Sequence, residues 1–400
     1  MNSESRNPSA QHPRSSALHH SPPPIQNSGK KLRIGIIFGG RSGEHEVSLV
    51  SASSVIQALD KDKYDVVPIG ITKDGRWISS QDALDVLKSG AQIQQELERI
   101  LLPDPTRRGL ISLSSPSQPE IGLDVIFPVV HGTYGEDGTL QGLLELANIP
   151  YVGAGVLGSA LGMDKIIQKQ LYEQAGLPVV KYLWFLSKRC TAEPKRVVAS
   201  VEKSLRYPVF VKPANTGSSV GITKAHNRKE LLEGLALAAE YDRKLIVEQG
   251  VNNAREIEVS VLGNDEPIAS VPGEIVPSNE FYDYDAKYVD GKSVSLIPVK
   301  LPARIVKNLQ QLAVKAFTVL DAAGMARVDF FVTRKTNRIF VNEINTIPGF
   351  TAISMYPKLW EASGISYREL LDRLITLALE RHAERSMLRT AYEPAKAWYR

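Results

Sequence analysis

The segment FVNEINTIPGFT, residues 340–351, sets a carboxylate and an amide two positions apart in an otherwise apolar run and ends that run at Pro348-Gly349. In a strand, residues i and i+2 share a face, so Glu343 and Asn345 point the same way. Polar groups on a mostly buried strand face are unfavourable unless hydrogen bonds or a cation satisfy them. The preceding apolar run, ARVDFFVT, carries Asp329, and the turn-rich RKTNR between the two runs predicts a hairpin that brings Asp329, Glu343 and Asn345 together. Hard oxygen donors suit Mg²⁺, which takes one or two carboxylates and completes its shell with water and substrate phosphates. An ion-free alternative is equally consistent with the spacing: Asp329 pairs with Arg327 on its own strand face while Glu343 and Asn345 bind backbone.

A magnesium site of this kind needs phosphates nearby. VKPANTGSSVGITK supplies Lys212 at the end of an apolar strand, followed by TGSSVG, whose backbone N–H groups and hydroxyls can curl around an anion. Gly217 and Gly221 are too close for a Walker A loop and no Gly-Lys-Ser/Thr follows, so pattern alone is also compatible with an ordinary glycine hairpin. Lys165 opens a helix after GMD, and IVEQGV places Glu248 at a strand end where a hinge can meet an adenine edge or a ribose. Each of these signals is weak singly, because solvated surface residues have the same appearance.

The chain organises around these segments. Residues 1–30 are rich in Ser, Pro, Asn and His without an apolar stretch, and read as a disordered leader. KLRIGIIFGG, YDVVPIGIT and LDVIFPVV alternate with helical patterns over residues 31–154, which predicts a parallel α/β domain. Its GGRSG is not a dinucleotide fingerprint. From 155 to 250 and from 251 to 385, strand runs that hairpin around single helices predict α+β modules with antiparallel sheets, before a tail at 386–400. PSNEFYDYDAKYVDGKS has the composition of an exposed loop or of a lid over a site.

Composition excludes several classes. A net charge of +4 over 400 residues, without a basic block, points to neither nucleic acid nor a membrane surface. One cysteine, Cys190, rules out an intramolecular disulfide framework and a cysteine-based zinc cluster, and fits a reducing cytoplasm. No apolar run approaches the ~20 residues of a membrane span.

Taken in order, GGRSGEHEVSLVSA, HGTYGEDGTLQGLLE, GMDK, FVKPANTGSSVGITK, EQGVNNAREIEVSVLGN, EFYDYDAKY, ARVDFFV and VNEINTIPGFT resemble the D-alanine–D-alanine ligases of the ATP-grasp superfamily over residues 32–380. The resemblance implies an ATP-grasp fold preceded by a Rossmann-like domain. It implies a cytoplasmic homodimer that joins two D-alanines for peptidoglycan through an acyl phosphate, using ATP and two Mg²⁺ ions, with Mn²⁺ as an alternative metal. Asp329, Glu343 and Asn345 then match metal ligands. Lys165, Lys212, Glu248, Glu256 and, on the lid, Lys287 match ATP contacts. Glu44, Ser218 and Tyr288 match a hydrogen-bonded triad near the substrate ammonium, and Arg327 with the Gly349 N–H matches the oxyanion donors. His131, Glu136 and Ser354 match D-alanine contacts. Two rivals remain: another ATP-grasp carboxylate–amine ligase, and a nucleotide-binding regulator without turnover. The second has no need of oxyanion donors.

Deleting residues 1–30 is expected to leave the melting temperature and turnover unchanged, because a Pro/Ser-rich segment buries little apolar surface. A thermal melt with a parallel rate measurement checks this, and a marked drop in either shows that the leader docks.

Overall fold

The computed structural model describes residues 30–392 except 116, 118, 277–293 and 352. The expected leader, the lid segment with Lys287 and Tyr288, and the end of the tail lie outside the described residues.

The first sheet grows from LRIGIIFG, whose Ile34, Ile36, Ile37 and Phe38 are fully buried, the signature of a strand covered on both faces. Leu32–Gly39 pairs in parallel with Tyr64–Ile71 and Val125–Pro128, while the short Trp77–Ser79 adds an antiparallel edge. The helix His45–Ala58 leaves the first strand through Gly39 and Gly40, both at positive φ. At Gly39 a Cβ would stand 2.1 Å from the Ile71 carbonyl oxygen, so only glycine makes this turn. A separate antiparallel sheet, Arg99–Leu101, Gly109–Ser112 and Ile121–Gly122, sits inside the stretch read as uniformly parallel α/β. Its strands are too short to carry a periodic signal.

The second sheet, in the order 223–225, 209–213, 244–249, 182–186, is antiparallel throughout. Its inner face packs on the helices Pro194–Ser204 and Arg228–Ala239 through Val197, Val201, Leu231 and Leu235. The third sheet runs 294–296, 273–276, 254–263, 324–333, 339–345, with 268–269 beside 254–263. The helix Ala303–Val319 covers one face with Leu309, Ala313, Ala316 and Phe317, and the other face borders a cleft. The antiparallel pairing expected beyond residue 155 is present in both sheets.

Sequence pattern gave no indication of where the last helix packs. Tyr367–Ser386 inserts Leu370, Leu371, Leu374 and Ile375 into the same core as Ile34, Phe38 and Phe127 of the first sheet. Asp372 accepts hydrogen bonds from Lys63 and the Tyr64 hydroxyl, each at 2.7 Å, and Arg381 donates to the Gly153 carbonyl at 2.6 Å. Leu374→Ala is expected to destabilise the protein by about 2–5 kcal/mol, since the fully buried site cannot collapse around the missing atoms. Urea titration checks the value, and a loss below about 1 kcal/mol would show that the helix is loosely docked.

Candidate active site

The third sheet builds the floor of the site through one irregularity. Asp329 lies opposite Glu343 and Arg327 opposite Asn345, whereas Phe330 lies opposite Val341, so Asn342 is the extra residue of a β-bulge. The bulge turns Glu343 and Asn345 onto the face that carries Asp329 and leaves Val341 and Ile344 in the core. Without it, strict alternation would set Asn342 against Asp329.

Arg327 donates from Nε and Nη2 to the two oxygens of Asp329, at 2.7 and 2.8 Å, and its Nε also lies 3.0 Å from Glu258. Asn345 turns its amide nitrogen to Asp329 at 3.1 Å, which leaves its oxygen as a possible ligand atom. Asp329 and Glu343 are direct cross-strand neighbours, an arrangement that repels unless cations stand beside it. Arg327 and Lys165, the latter 3.8 Å from Glu343, supply part of that charge. Among the described residues no group of three or more His, Cys, Asp and Glu converges on one point. Two carboxylates and an amide form the sparse, hard-oxygen set that fits Mg²⁺ shared with phosphates.

Behind this floor stands a buried ion triad. Glu248, 2% exposed, lies 2.7 Å from the Lys212 ammonium and 3.0 Å from that of Lys169. Burial opposes its charge, but the two lysines prevail and hold the carboxyl down to about 2. Burial likewise works against the charge on Lys212, yet Glu248 and Glu343 outweigh it and keep its pKa above the ordinary lysine value. Lys169 also donates to the carbonyl of the bulged Asn342 at 3.0 Å, which ties the triad to the floor. Lys165 is fixed by the Thr216 carbonyl at 2.7 Å, and its helix is capped by the Asp164 side chain.

The third wall comes from the first sheet. Glu44, at the start of the helix His45–Ala58, accepts a hydrogen bond from the Ser218 hydroxyl, 174 residues away. Ser218 and Ser219 both have positive φ, a strained choice for residues with side chains. Gly217 permits this contact, because a Cβ there would lie 2.5 Å from Glu44 Oε2. Glu136 accepts from the backbone N–H groups of Gly132 at 2.7 Å and Ile347 at 3.0 Å. Burial, with the Glu44 charge beside it, nevertheless pushes the Glu136 carboxyl up to about 8. His131 is buried against the Ile347 carbonyl, and Ser354 accepts from the Thr351 N–H at 3.1 Å beside Gly349.

The walls enclose a cleft of about 990 Å³, and every expected site residue that the structure describes lines it, Glu256 included. Three participants escaped the sequence reading. Lys169 follows Lys165 by one helical turn, which was a usable signal. Glu258 follows Glu256 at strand spacing, so it too points to the cleft side. Ser51, which contacts His131, gave none, since a serine in a small-residue helix face is unremarkable.

Comparison with known proteins places this architecture. A profile described as D-ala D-ala ligase N-terminus matches residues 33–154, and one described as D-ala D-ala ligase C-terminus matches residues 171–376. The D-alanine–D-alanine ligase of Heliobacterium modesticaldum is 54% identical over 355 residues, covering 89% of this chain and 96% of its own. Among solved structures, the D-alanine–D-alanine ligase from Coxiella burnetii aligns with a TM-score of 0.76 at 39% identity, over 89% of this chain and 96% of that one. VanG, the D-Ala:D-Ser ligase from Enterococcus faecalis, aligns at 0.78 and 38% identity, over 87% and 100%. The fold is therefore that of an ATP-grasp ligase. The chain belongs to the D-alanine–D-alanine ligase family.

Gly217→Ala is expected to lower kcat/KM by about 10²-fold with little change in melting temperature, because the new methyl displaces Glu44 rather than any core residue. Steady-state kinetics beside a thermal melt checks it. Near-normal activity would show that the Glu44–Ser218 contact is dispensable.

Proposed function

We propose that the chain joins two D-alanine molecules into D-alanyl-D-alanine, the dipeptide of peptidoglycan precursors, while cleaving ATP to ADP and phosphate. One observation carries the reading: a single cleft brings together a buried acid held by Ser218, two lysines and the Asp329–Glu343 pair beside Arg327. A carboxylate resists nucleophiles because of its charge and must be activated first. An oxygen of the first D-alanine's carboxylate attacks the γ-phosphorus, the bond to the β,γ-bridging oxygen breaks, and ADP leaves. The amine of the second D-alanine, having lost a proton, attacks the resulting acyl phosphate. The tetrahedral oxyanion then collapses, the carbon–oxygen bond to phosphate breaks, and the dipeptide forms.

Each residue is assigned a task in this sequence. Lys165 and Lys212 balance phosphate charge, Glu248 and Glu256 meet the adenine and ribose, and Lys287 adds a further cation. Asp329, Glu343 and Asn345 would hold two Mg²⁺ ions, with Mn²⁺ as a substitute, and the metal would supply charge neutralisation and positioning at the phosphates. Arg327 and the Gly349 N–H face the oxyanion, and removing one such donor typically costs ~3 kcal/mol of transition-state stabilisation. Glu44, Ser218 and Tyr288 favour an ammonium substrate, His131 and Glu136 border the first D-alanine, and Ser354 binds the second carboxylate. We further assign domain boundaries at 154 and 250, a homodimer and a cytoplasmic location. No helix among the described residues is long and apolar enough to cross a membrane.

Incubation with ATP, Mg²⁺ and an equimolar mixture of D-alanine, D-serine and D-lactate should yield chiefly D-alanyl-D-alanine by mass spectrometry, with stoichiometric ADP. Asp329→Ala should reduce ADP release on the order of 10²- to 10³-fold. Predominant D-alanyl-D-serine or depsipeptide, or ADP without dipeptide, would overturn the substrate assignment.

A further inference from the structure

We propose that Ser51 is a positioning residue that engages His131 in the neutral Nδ1–H tautomer set by the Ile347 carbonyl, and through His131 and the Phe350 N–H holds the Ile347–Phe350 loop, which presents the Gly349 N–H to the oxyanion. The inference rests on the ligase reading for its catalytic consequence, but not for its geometry.

Ser51 lies on the helix His45–Ala58 and is fully buried, as is His131 at 3% exposure. His131 Nδ1 lies 3.0 Å from the Ile347 carbonyl oxygen, and Nε2 lies 3.1 Å from Ser51 Oγ. A carbonyl only accepts, so Nδ1 must carry a proton. In a neutral ring Nε2 is then the acceptor, and the Ser51 hydroxyl must donate to it. Ser51 Oγ in turn accepts from the Phe350 N–H at 3.4 Å. The four groups form one directed chain: Phe350 N–H to Ser51, Ser51 O–H to His131, His131 Nδ1–H to Ile347. Burial also holds the imidazole below its ordinary pKa, with the Glu44 charge opposing, which favours the neutral ring.

The chain closes on both ends of one short loop. Ile347 is gripped a second time through its N–H by Glu136 Oε1 at 3.0 Å. Phe350 is locked by its ring, edge-on to Phe127 at 5.6 Å and within 5.3 Å of Tyr356. Pro348 and Gly349 span the interval between these anchors, so the direction of the Gly349 N–H follows from Ser51 on the helix His45–Ala58, from His131 and Glu136 in the loop after Val125–Pro128, and from the packing of Phe350. With both ring nitrogens engaged, His131 acts through the loop. Oxyanion donors are effective only when aimed in advance, and small misplacements are expensive in rate.

The test uses full-length protein labelled with ¹⁵N-histidine, with the His131 resonances identified by their absence in His131→Gln. Long-range ¹H–¹⁵N correlation should show Nδ1 protonated and Nε2 unprotonated. In Ser51→Ala this pattern should weaken, and kcat should fall roughly 10- to 100-fold. The inhibition constant of a phosphinate mimic of the tetrahedral intermediate should rise by a similar factor, while the KM for ATP stays within about twofold. Ser51→Thr, which keeps the hydroxyl, should restore most of both. A misfolded fraction lowers kcat but does not alter an inhibition constant, so the two causes separate. An Nε2–H tautomer in the unmodified protein, or Ser51→Ala with kcat and inhibition constant both within about twofold of normal, overturns the proposal. If Ser51→Ala does not fold, Ser51→Cys, of similar size but a weaker donor, takes its place in the same kcat and inhibition measurements, with the same outcomes deciding. If the unmodified protein makes no dipeptide, the ligase reading fails while the tautomer still judges the clamp.

Discussion

The structure depends on the register between Gly324–Thr333 and Ile339–Asn345. One face of this pair holds Val328, Phe330, Val341 and Ile344 in the core, and the other holds Arg327, Asp329, Glu343 and Asn345 over the cleft. Side chains alternate with period two, so a one-residue slip would bury the charges and expose the apolar set. That penalty makes the register unambiguous. The bulge at Asn342 adds what regular alternation cannot, since it brings two carboxylates side by side and frees a carbonyl for Lys169. Much of the site follows: Lys165 near Glu343, the ion triad tied to the same strand, and the loop at Ile347 leaving the strand toward His131.

Buried charge is the second organising element. Glu248 stands between two lysines in a place where isolated ions would be severely destabilised, and burial holds the Lys169 ammonium below its ordinary pKa even with Glu248 beside it. Replacing such a cluster with apolar residues often stabilises a protein, so its presence is better explained by what it presents to a ligand than by stability. Lys212, kept against the effect of burial above the ordinary lysine pKa by Glu248 and Glu343, attracts a polyanion, and the carboxylate between the lysines offsets their mutual repulsion.

Much of this was legible in the sequence because the relevant signals are local. Asp329, Glu343 and Asn345 stood out as polar residues in strand patterns and Gly217 to Gly221 as a turn, but pattern alone left an ion-free pairing and an ordinary hairpin equally open, and only the ordered series of motifs drew them into one site. The β-bulge was not legible, because an extra residue in one strand is visible only against its partner. Nor was Ser51, whose role depends on meeting His131 across 80 positions. The docking of Tyr367–Ser386 on the first sheet was hidden for the same reason: amphipathic pattern identifies an apolar face without naming what covers it. The alternative in which Arg327 pairs with Asp329 is also present, and it coexists with the acidic cross-strand pair rather than replacing it.

The contacts that aim the Ile347–Phe350 loop join residues 211 to 299 positions apart, Glu136 with Ile347 and Ser51 with Phe350. Such pairings are the slowest for a chain to make, because the entropy of closing a very long loop is spent before any contact forms. During synthesis the first sheet and the helix His45–Ala58 emerge before the loop, while the helix Tyr367–Ser386, which shares their core, emerges after it. The anchors of this loop are accordingly among the slowest contacts for the chain to form. A fragment that ends before Phe350 lacks one of the two anchors of this loop.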